Sequence, residues 1–310
     1  MIAFVFPGQG SQRVGMGRTL ADLYPVCRQA FEEADDAMGE SISRLCFDGP
    51  ENKLMLTENT QPAVLATSIA VHRLLQSFGH APKYMAGHSL GEYSAHVAAG
   101  TIGYADALRT VRRRGRYMQD AVPLGEGAMA AVHGLGAETV EQACIEVAEG
   151  DVVCAANLNA PMQIAISGHT QAVDRASIRL REYGARRVLP LPVSAPFHCA
   201  LMKPAEMRLA KDLKSLVVRN PSVPVVVNVD AMPKRTSQDA VEALIKQVSA
   251  PVRWVEVVRW LIDGGVTAFI EVGPGRVLSG LIKKIDRRVC VANVEDPESL
   301  ESAQSVLIDG

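Results

Sequence analysis

Residues 83–92 read Lys83-Tyr84-Met85-Ala86-Gly87-His88-Ser89-Leu90-Gly91-Glu92, and a helix-forming tract continues to Ala99. A short apolar run, a Gly-x-Ser-x-Gly turn and a helix together predict a nucleophile elbow. Such a turn lifts the serine hydroxyl above the sheet edge, at a helix N-terminus. Gly87 and Gly91 have a steric task, because a side chain two residues to either side of the serine collides across so tight a turn. The N–H of Leu90, the residue after the serine, is free to bind a developing oxyanion. The competing reading is a glycine-flanked turn whose serine only caps the helix.

The whole-chain totals narrow the classes. At 310 residues there is room for one large α/β domain, or a large domain with a small one. Hydrophobic residues make up 48% and charged ones 21%, an ordinary globular mixture. With 32 Lys+Arg against 34 Asp+Glu the net charge is −2, so no global field draws in nucleic acid or membrane. An acidic partner must be met by a local patch. Cys27, Cys46, Cys144, Cys154, Cys199 and Cys290 form no Cys-x-x-Cys pair, which predicts a reduced, cytoplasmic protein without a zinc site. The apolar start is stopped by Pro7-Gly8, far short of a signal or spanning segment, and predicts a first buried strand.

After that strand come Pro7-Gly8-Gln9-Gly10-Ser11-Gln12 and a helix expected from about Gly17 to Met38. The dinucleotide pattern fails, because Arg13 stands where its third glycine belongs. The loop better serves as the second oxyanion donor, through the N–H near Gln9. Pro62 suits a first helical position, giving a helix to about Phe78. A further helix, Tyr104 to about Ala121, carries five arginines. Arg109, Arg112, Arg113 and Arg116 are expected on a solvated face. Arg114 has apolar Ala107, Val111, Met118 and Ala121 on its own face, and a guanidinium there needs an anion. Periodicity leaves open whether a structural or a substrate carboxylate supplies it.

From Gly127 to Val193 the pattern is β-α-β-β-α-β, the split unit of ferredoxin-like domains. The expected architecture is therefore an α/β-hydrolase-like large domain with a mostly parallel sheet, residues 1–126 and 195–310, interrupted by a ferredoxin-like small subdomain at 127–194. The groove between them is the default binding site. The remainder reads as a strand at 223–229, helices at 237–247 and 254–264, a strand at 267–272 and a helix at 277–285. Ser89 needs a base. His88 points away along the strand and His96 lies two turns down the elbow helix. His72, His80, His133 and His169 fall in or beside helices and strands. His198 follows a strand at the expected junction, C-terminal to the serine as elbow enzymes require, and is the candidate base. No Asp or Glu stands out as the third member, so a backbone carbonyl or neutral side chain must hold the imidazole tautomer.

Taken together, Phe6-Pro7-Gly8-Gln9-Gly10-Ser11-Gln12, Gly87 to Tyr93, Arg114, Gly127 to Ala131, Leu189 to Ser194, Phe197-His198 and Glu271-Val272-Gly273-Pro274-Gly275 resemble the malonyl-CoA:acyl carrier protein transacylases over the full length. The resemblance implies malonyl transfer to the pantetheine thiol of acyl carrier protein in fatty-acid synthesis, with no cofactor and a monomer as the expected form. It makes Ser89 the nucleophile and His198 the acid/base, with Gln247 orienting the histidine through its main-chain carbonyl. Gln9 and Leu90 become the oxyanion donors, Arg114 the partner of the malonyl carboxylate, and Gln61, Met118 and Asn157 pocket residues. Phe197 is a departure. Stand-alone bacterial members often have serine there, whereas malonyl-selective polyketide acyltransferases commonly have phenylalanine, whose ring also crowds a methyl branch. The family's carrier protein is acidic, and Lys283, Lys284, Arg287 and Arg288 are candidates to meet it. A polyketide-loading enzyme, a serine thioesterase or esterase, and a non-catalytic scaffold are the rival readings.

Overall fold

The computed structural model describes residues 1–193 and 195–309; Ser194, the expected end of the small subdomain, and Gly310 lie outside the described residues. The apolar start forms β1 (Ile2–Phe6). The helix expected over 17–38 is two helices, α1 (Arg18–Leu23) and α2 (Pro25–Met38). Pro25 drives Tyr24 into an extended conformation (φ −119°, ψ 115°), because a proline ring clashes with a helical residue before it. Short helices α3 (Ile42–Asp48) and α4 (Glu51–Leu54) lead into α5 (Thr57–Ser77). Pro62 is inside α5, not at its start. The N–H groups of Asn59 and Thr60 already bond to the Leu56 carbonyl, so the helix begins upstream of the proline.

The elbow is built from β2 (Tyr84–Gly87) and α6 (Leu90–Ala98), followed by α7 (Tyr104–Asp120). Next come β3 (Gly127–His133), α8 (Ala137–Glu146), β4 (Val153–Ala160), β5 (Gln163–His169), α9 (Thr170–Glu182) and β6 (Arg187–Pro190). A 3₁₀ turn at Ala200–Met202 enters α10 (Lys203–Lys214), which sequence reasoning missed. The strand expected over 223–229 is only β7 (Val225–Val226), joined to β8 (Pro233–Lys234). Then follow α11 (Ser237–Gln247), α12 (Trp254–Asp263), β9 (Ala268–Val272) and α13 (Val277–Ile285). The chain closes with β10 (Cys290–Val294) and α14 (Pro297–Asp309), also unanticipated.

Two sheets result. The six-stranded one runs β10-β9-β1-β2-β7-β8, parallel except for β8, as crossover helices require. The other is antiparallel in the order β4-β5-β3-β6, a ferredoxin-like βαββαβ unit with α8 and α9 packed on a core of its own that includes Val132, Ile164, Ile166 and Leu180. β4 of the smaller sheet is tied to the segment between α11 and α12, where Val252 accepts from Leu158 N–H (2.9 Å) and donates to Ala156 O (2.8 Å).

The carboxyl ends of β1 and β2 meet α6 at a separation that only glycine allows. A Cβ on Gly91 would stand 1.9 Å from the Phe6 carbonyl oxygen, and one on Gly87 would stand 1.9 Å from the Gly91 carbonyl carbon. Both obstacles are backbone and cannot yield. Gly91→Ala is therefore expected to destabilise the protein by at least about 3 kcal/mol in denaturant unfolding. Gly280→Ala, in the exposed face of α13 with open space around it, should instead stabilise by about 0.5–1 kcal/mol. Equal midpoints for the two variants would refute the steric account.

Candidate active site

Ser89 stands between β2 and α6 with φ 52° and ψ −106°, a left-handed conformation costly for a residue with a Cβ. Its hydroxyl is thereby held at the mouth of a cleft of about 230 Å³. Ser89 Oγ donates to His198 Nε2 at 2.7 Å. On the other side of the ring, His198 Nδ1–H donates to the main-chain carbonyl of Gln247 at 3.0 Å. That bond leaves Nε2 unprotonated and able to accept. His198 also has positive φ (60°), so both partners are held in unfavourable backbone conformations. Burial, reinforced by the Arg114 charge, pushes the His198 pKa down to about 3.

The other buried histidines are engaged elsewhere. His88 bonds through Nε2 to Asn159 (2.7 Å) and lies edge-on to Trp254. His72 packs edge-on against Phe4 and Phe6, and His96 is buried in α6.

The α7 arginines separate sharply. Arg109 pairs with Asp106, Arg112 with Glu40, Arg113 with Asp212 and Arg116 with Glu58. Arg112, expected on a solvated face, is mostly covered, its side chain 12% exposed. Arg114 is 2% exposed and has no carboxylate ion pair among the described residues. Nη1 donates to Gln61 Oε1 (2.9 Å), while Nη2 donates to Gln247 Oε1 (2.9 Å) and to Ser89 Oγ (3.2 Å). The Tyr93 ring lies beneath it, with Cζ 5.4 Å from the ring centroid. Burial lowers its pKa. A buried cation bonded only to neutral oxygens is a receptor for an anion.

The cleft brings together every candidate except Gln247, which reaches it through Arg114 and His198. Leu90 is the first residue of α6, and Gln9 comes from the loop after β1. Neither N–H has a protein acceptor among the described residues, leaving two amide donors at the cleft beside Ser89. Gln61, Met118, Asn157 and Phe197 form walls, with Met129 from β3 and Leu191 from the segment just after β6. Three groups escaped sequence reasoning: the Gln247 carboxamide, the buried Glu92 carboxylate and Asn228. The only sequence signal for Asn228 is a polar residue within the apolar run Val225-Val226-Val227-Asn228-Val229.

The basic run is already occupied in part. Lys283 Nζ donates to the Val289 carbonyl (2.7 Å), Lys284 Nζ to Gln163 Oε1 (2.8 Å), and Arg288 pairs with Asp286. Among the described residues no cluster of three His, Cys, Asp or Glu is arranged to hold a metal ion. No helix among them is long and apolar enough to cross a membrane.

Comparison with known proteins extends over nearly the whole chain. Residues 3–302 match the acyl transferase domain family. The chain is 49% identical over 307 residues to the malonyl CoA-acyl carrier protein transacylase of Bacillus subtilis (strain 168), covering 99% of this chain and 97% of that one. Its fold superposes on the malonyl CoA-acyl carrier protein transacylase of Coxiella burnetii with a TM-score of 0.96, at 43% identity over 99% of this chain and 97% of that chain. It also superposes, at a TM-score of 0.96 and 47% identity over 98% and 99% of the two chains, on a malonyl-transacylase in complex with its type II polyketide acyl-carrier protein.

A histidine whose pKa has fallen to about 3 keeps its neutral, accepting form as the solution is acidified. In Glu92→Gln, which removes the buried carboxyl that itself titrates at about 7, acylation of Ser89 by a neutral activated ester should therefore vary by no more than about twofold between about pH 5.5 and 7.5, with no inflection near the ordinary histidine pKa of about 6.5. A midpoint near that value in the pH–rate profile would contradict the assignment.

Proposed function

The chain belongs to the acyl transferase domain family, and on that footing we propose that it moves a malonyl group from coenzyme A to the phosphopantetheine thiol of acyl carrier protein, through an ester on Ser89. His198 Nε2 takes the Ser89 proton as Oγ attacks the thioester carbonyl. The carbonyl oxygen becomes an oxyanion facing the Gln9 and Leu90 amides. Collapse expels the coenzyme A thiolate, which leaves with the proton from His198. The carrier thiol then gives its proton to His198 and attacks the ester, and Ser89 departs as the hydroxyl. The Gln247 carbonyl holds the imidazole in one tautomer throughout, the role a carboxylate has in a triad. Loss of either oxyanion amide should cost on the order of 10²–10³ in rate.

The observation that carries this reading is Arg114, sealed in the cleft with no carboxylate paired to it among the described residues and 3.2 Å from the nucleophile. An acyl group with a free carboxylate supplies the missing anion, and bidentate pairing fixes its thioester over Ser89. Gln61, Met118 and Asn157 shape the malonyl site, and Phe197 narrows it against a methyl branch. The chemistry needs no metal or prosthetic group. We assign residues 1–126 and 195–310 to the catalytic domain and 127–194 to the smaller subdomain, in a cytoplasmic monomer serving fatty-acid synthesis. Loading of a polyketide carrier is the second reading, favoured by the polyketide complex among the similar structures and by Phe197.

Intact-protein mass spectrometry after mixing with malonyl-CoA should find a malonyl adduct on the native protein and none on Ser89→Ala. Labelled malonyl should pass to the thiol of holo-carrier protein, and release to water alone would remove the transferase reading. Arg114→Ala should lower the malonyl-to-acetyl rate ratio by about 10²-fold, the loss expected when one partner of a buried charge pair is truncated. An unchanged ratio would dismiss Arg114 from substrate selection.

A further inference from the structure

Strand β2 pairs with β7 in parallel, Met85 opposite Val225 and Ala86 opposite Val226. Continued, that register sets His88 opposite Asn228. In a parallel ladder, Asn228 would donate its backbone N–H to the Gly87 carbonyl and accept from the Ser89 N–H. Its backbone does neither. The N–H of Asn228 donates to Glu92 Oε2 (2.7 Å), and its carbonyl accepts from Arg253 N–H (3.2 Å). The two rungs are made instead by the side chain. Nδ2 donates to Gly87 O (2.7 Å) and Oδ1 accepts from Ser89 N–H (2.8 Å). The carboxamide replaces its own peptide where the strand turns away.

We propose that Asn228 is a positioning residue for the nucleophile, its carboxamide supplying the last two rungs of the sheet so that β2 can end in the left-handed Ser89. The proposal rests on Ser89 acting as the nucleophile. Asn228 is 0% exposed, so no water competes for either rung. Its Oδ1 ties up the Ser89 N–H, leaving the oxyanion to the amides of Leu90 and Gln9. Gln247 Nε2 grips the other side of the same residue, donating to Ser89 O at 2.9 Å. With both peptide groups of Ser89 held by side-chain amides, the strained φ and ψ have no lower-energy escape. The Oγ is thereby fixed at hydrogen-bond distance from His198. Loss of the rungs frees the elbow by the fraction of an ångström that matters for attack.

The test is the rate constant of malonyl-Ser89 formation at saturating malonyl-CoA, by rapid quench and intact mass, with concentration dependence and thermal melts alongside. Asn228→Ala should form the ester about 10²-fold more slowly, with half-saturation within about threefold of the native value. Asn228→Asp supplies a readout that a purely structural role would not move. The protonated acid has the same donor and acceptor as the amide, whereas the carboxylate has no proton for Gly87 O. Its rate relative to native protein should therefore rise at least about tenfold as pH falls from about 9 to 5.5. An Asn228→Ala rate within threefold of native, or an Asn228→Asp ratio flat with pH, overturns the proposal. If the alanine variant does not fold, the aspartate variant decides alone. Native protein that forms no ester would instead fell the nucleophile reading, so the two failures are distinguishable.

Discussion

A guanidinium kept dry with no carboxylate bonded to it among the described residues is the constraint around which the cleft is built. Taking a lone cation out of water costs several kcal/mol, and proteins ordinarily offset that with a carboxylate. Four arginines of α7 do so. Arg114 is surrounded instead by the amide oxygens of Gln61 and Gln247, reaching in from α5 and α11. Amide oxygens orient a guanidinium without cancelling its charge. A glutamate at either position would hold it as firmly and leave nothing for a substrate. The same field explains part of the His198 shift, since a cation nearby opposes a second one on the imidazole. Charge for recognition and neutrality for proton acceptance thus have one origin.

Strain is the second cost of this arrangement, and it falls on the two residues that meet. Ser89 and His198 both have positive φ. Such conformations persist only where surrounding bonds over-determine them. Around Ser89 those bonds come from Asn228, from Gln247 and from the first turn of α6, where Glu92 N–H donates to Ser89 O (3.1 Å). Gln247 is the common member. Its carbonyl sets the His198 tautomer, its amide nitrogen holds the Ser89 carbonyl, and its amide oxygen holds Arg114. One residue at the end of α11 therefore couples the His198 imidazole, the Ser89 backbone and the Arg114 cation. Burial of Glu92 raises its pKa to about 7, and the Asn228 N–H offsets that rise by favouring the carboxylate.

The elbow was legible in sequence because its rule is local: two glycines, a serine and a strand-to-helix change cannot be satisfied by many alternatives. The ferredoxin-like unit was legible for a similar reason, since each of its strands carries its own period. Helix limits failed where a proline acted against the local pattern, at Pro25 by breaking a helix and at Pro62 by sitting inside one. β7 failed because a valine-rich run over 223–229 predicts a strand, while only Val225 and Val226 pair and the chain beyond them turns away to deliver Asn228. Arg114 could be singled out from helical periodicity, but its lack of a carboxylate could not. That depends on what α5 and α11 present to it, which lies 53 and 133 residues away in the chain. Side-chain amides that stand in for backbone leave no periodic trace at all.

The width of the cleft follows from backbone, not from side-chain fit. Asn157 projects from β4 of the smaller sheet, and the peptides on either side of it are bonded to Val252, just ahead of α12. Leu158 donates to the Val252 carbonyl and Val252 donates to the Ala156 carbonyl, a one-residue parallel bridge between β4 and the segment ahead of α12. Two residues after Val252, α12 begins with Trp254, which packs in one apolar cluster with strands of the larger sheet and meets the His88 ring next to Ser89. A displacement of the smaller sheet would therefore break the hydrogen bonds between these peptides and Val252 and disturb the residue preceding Ser89. The wall that carries Asn157 is thus tied by backbone to the segment that packs beside Ser89. Backbone ties of that kind pre-organise a cleft, which suits a small acyl group with a single charge at its far end.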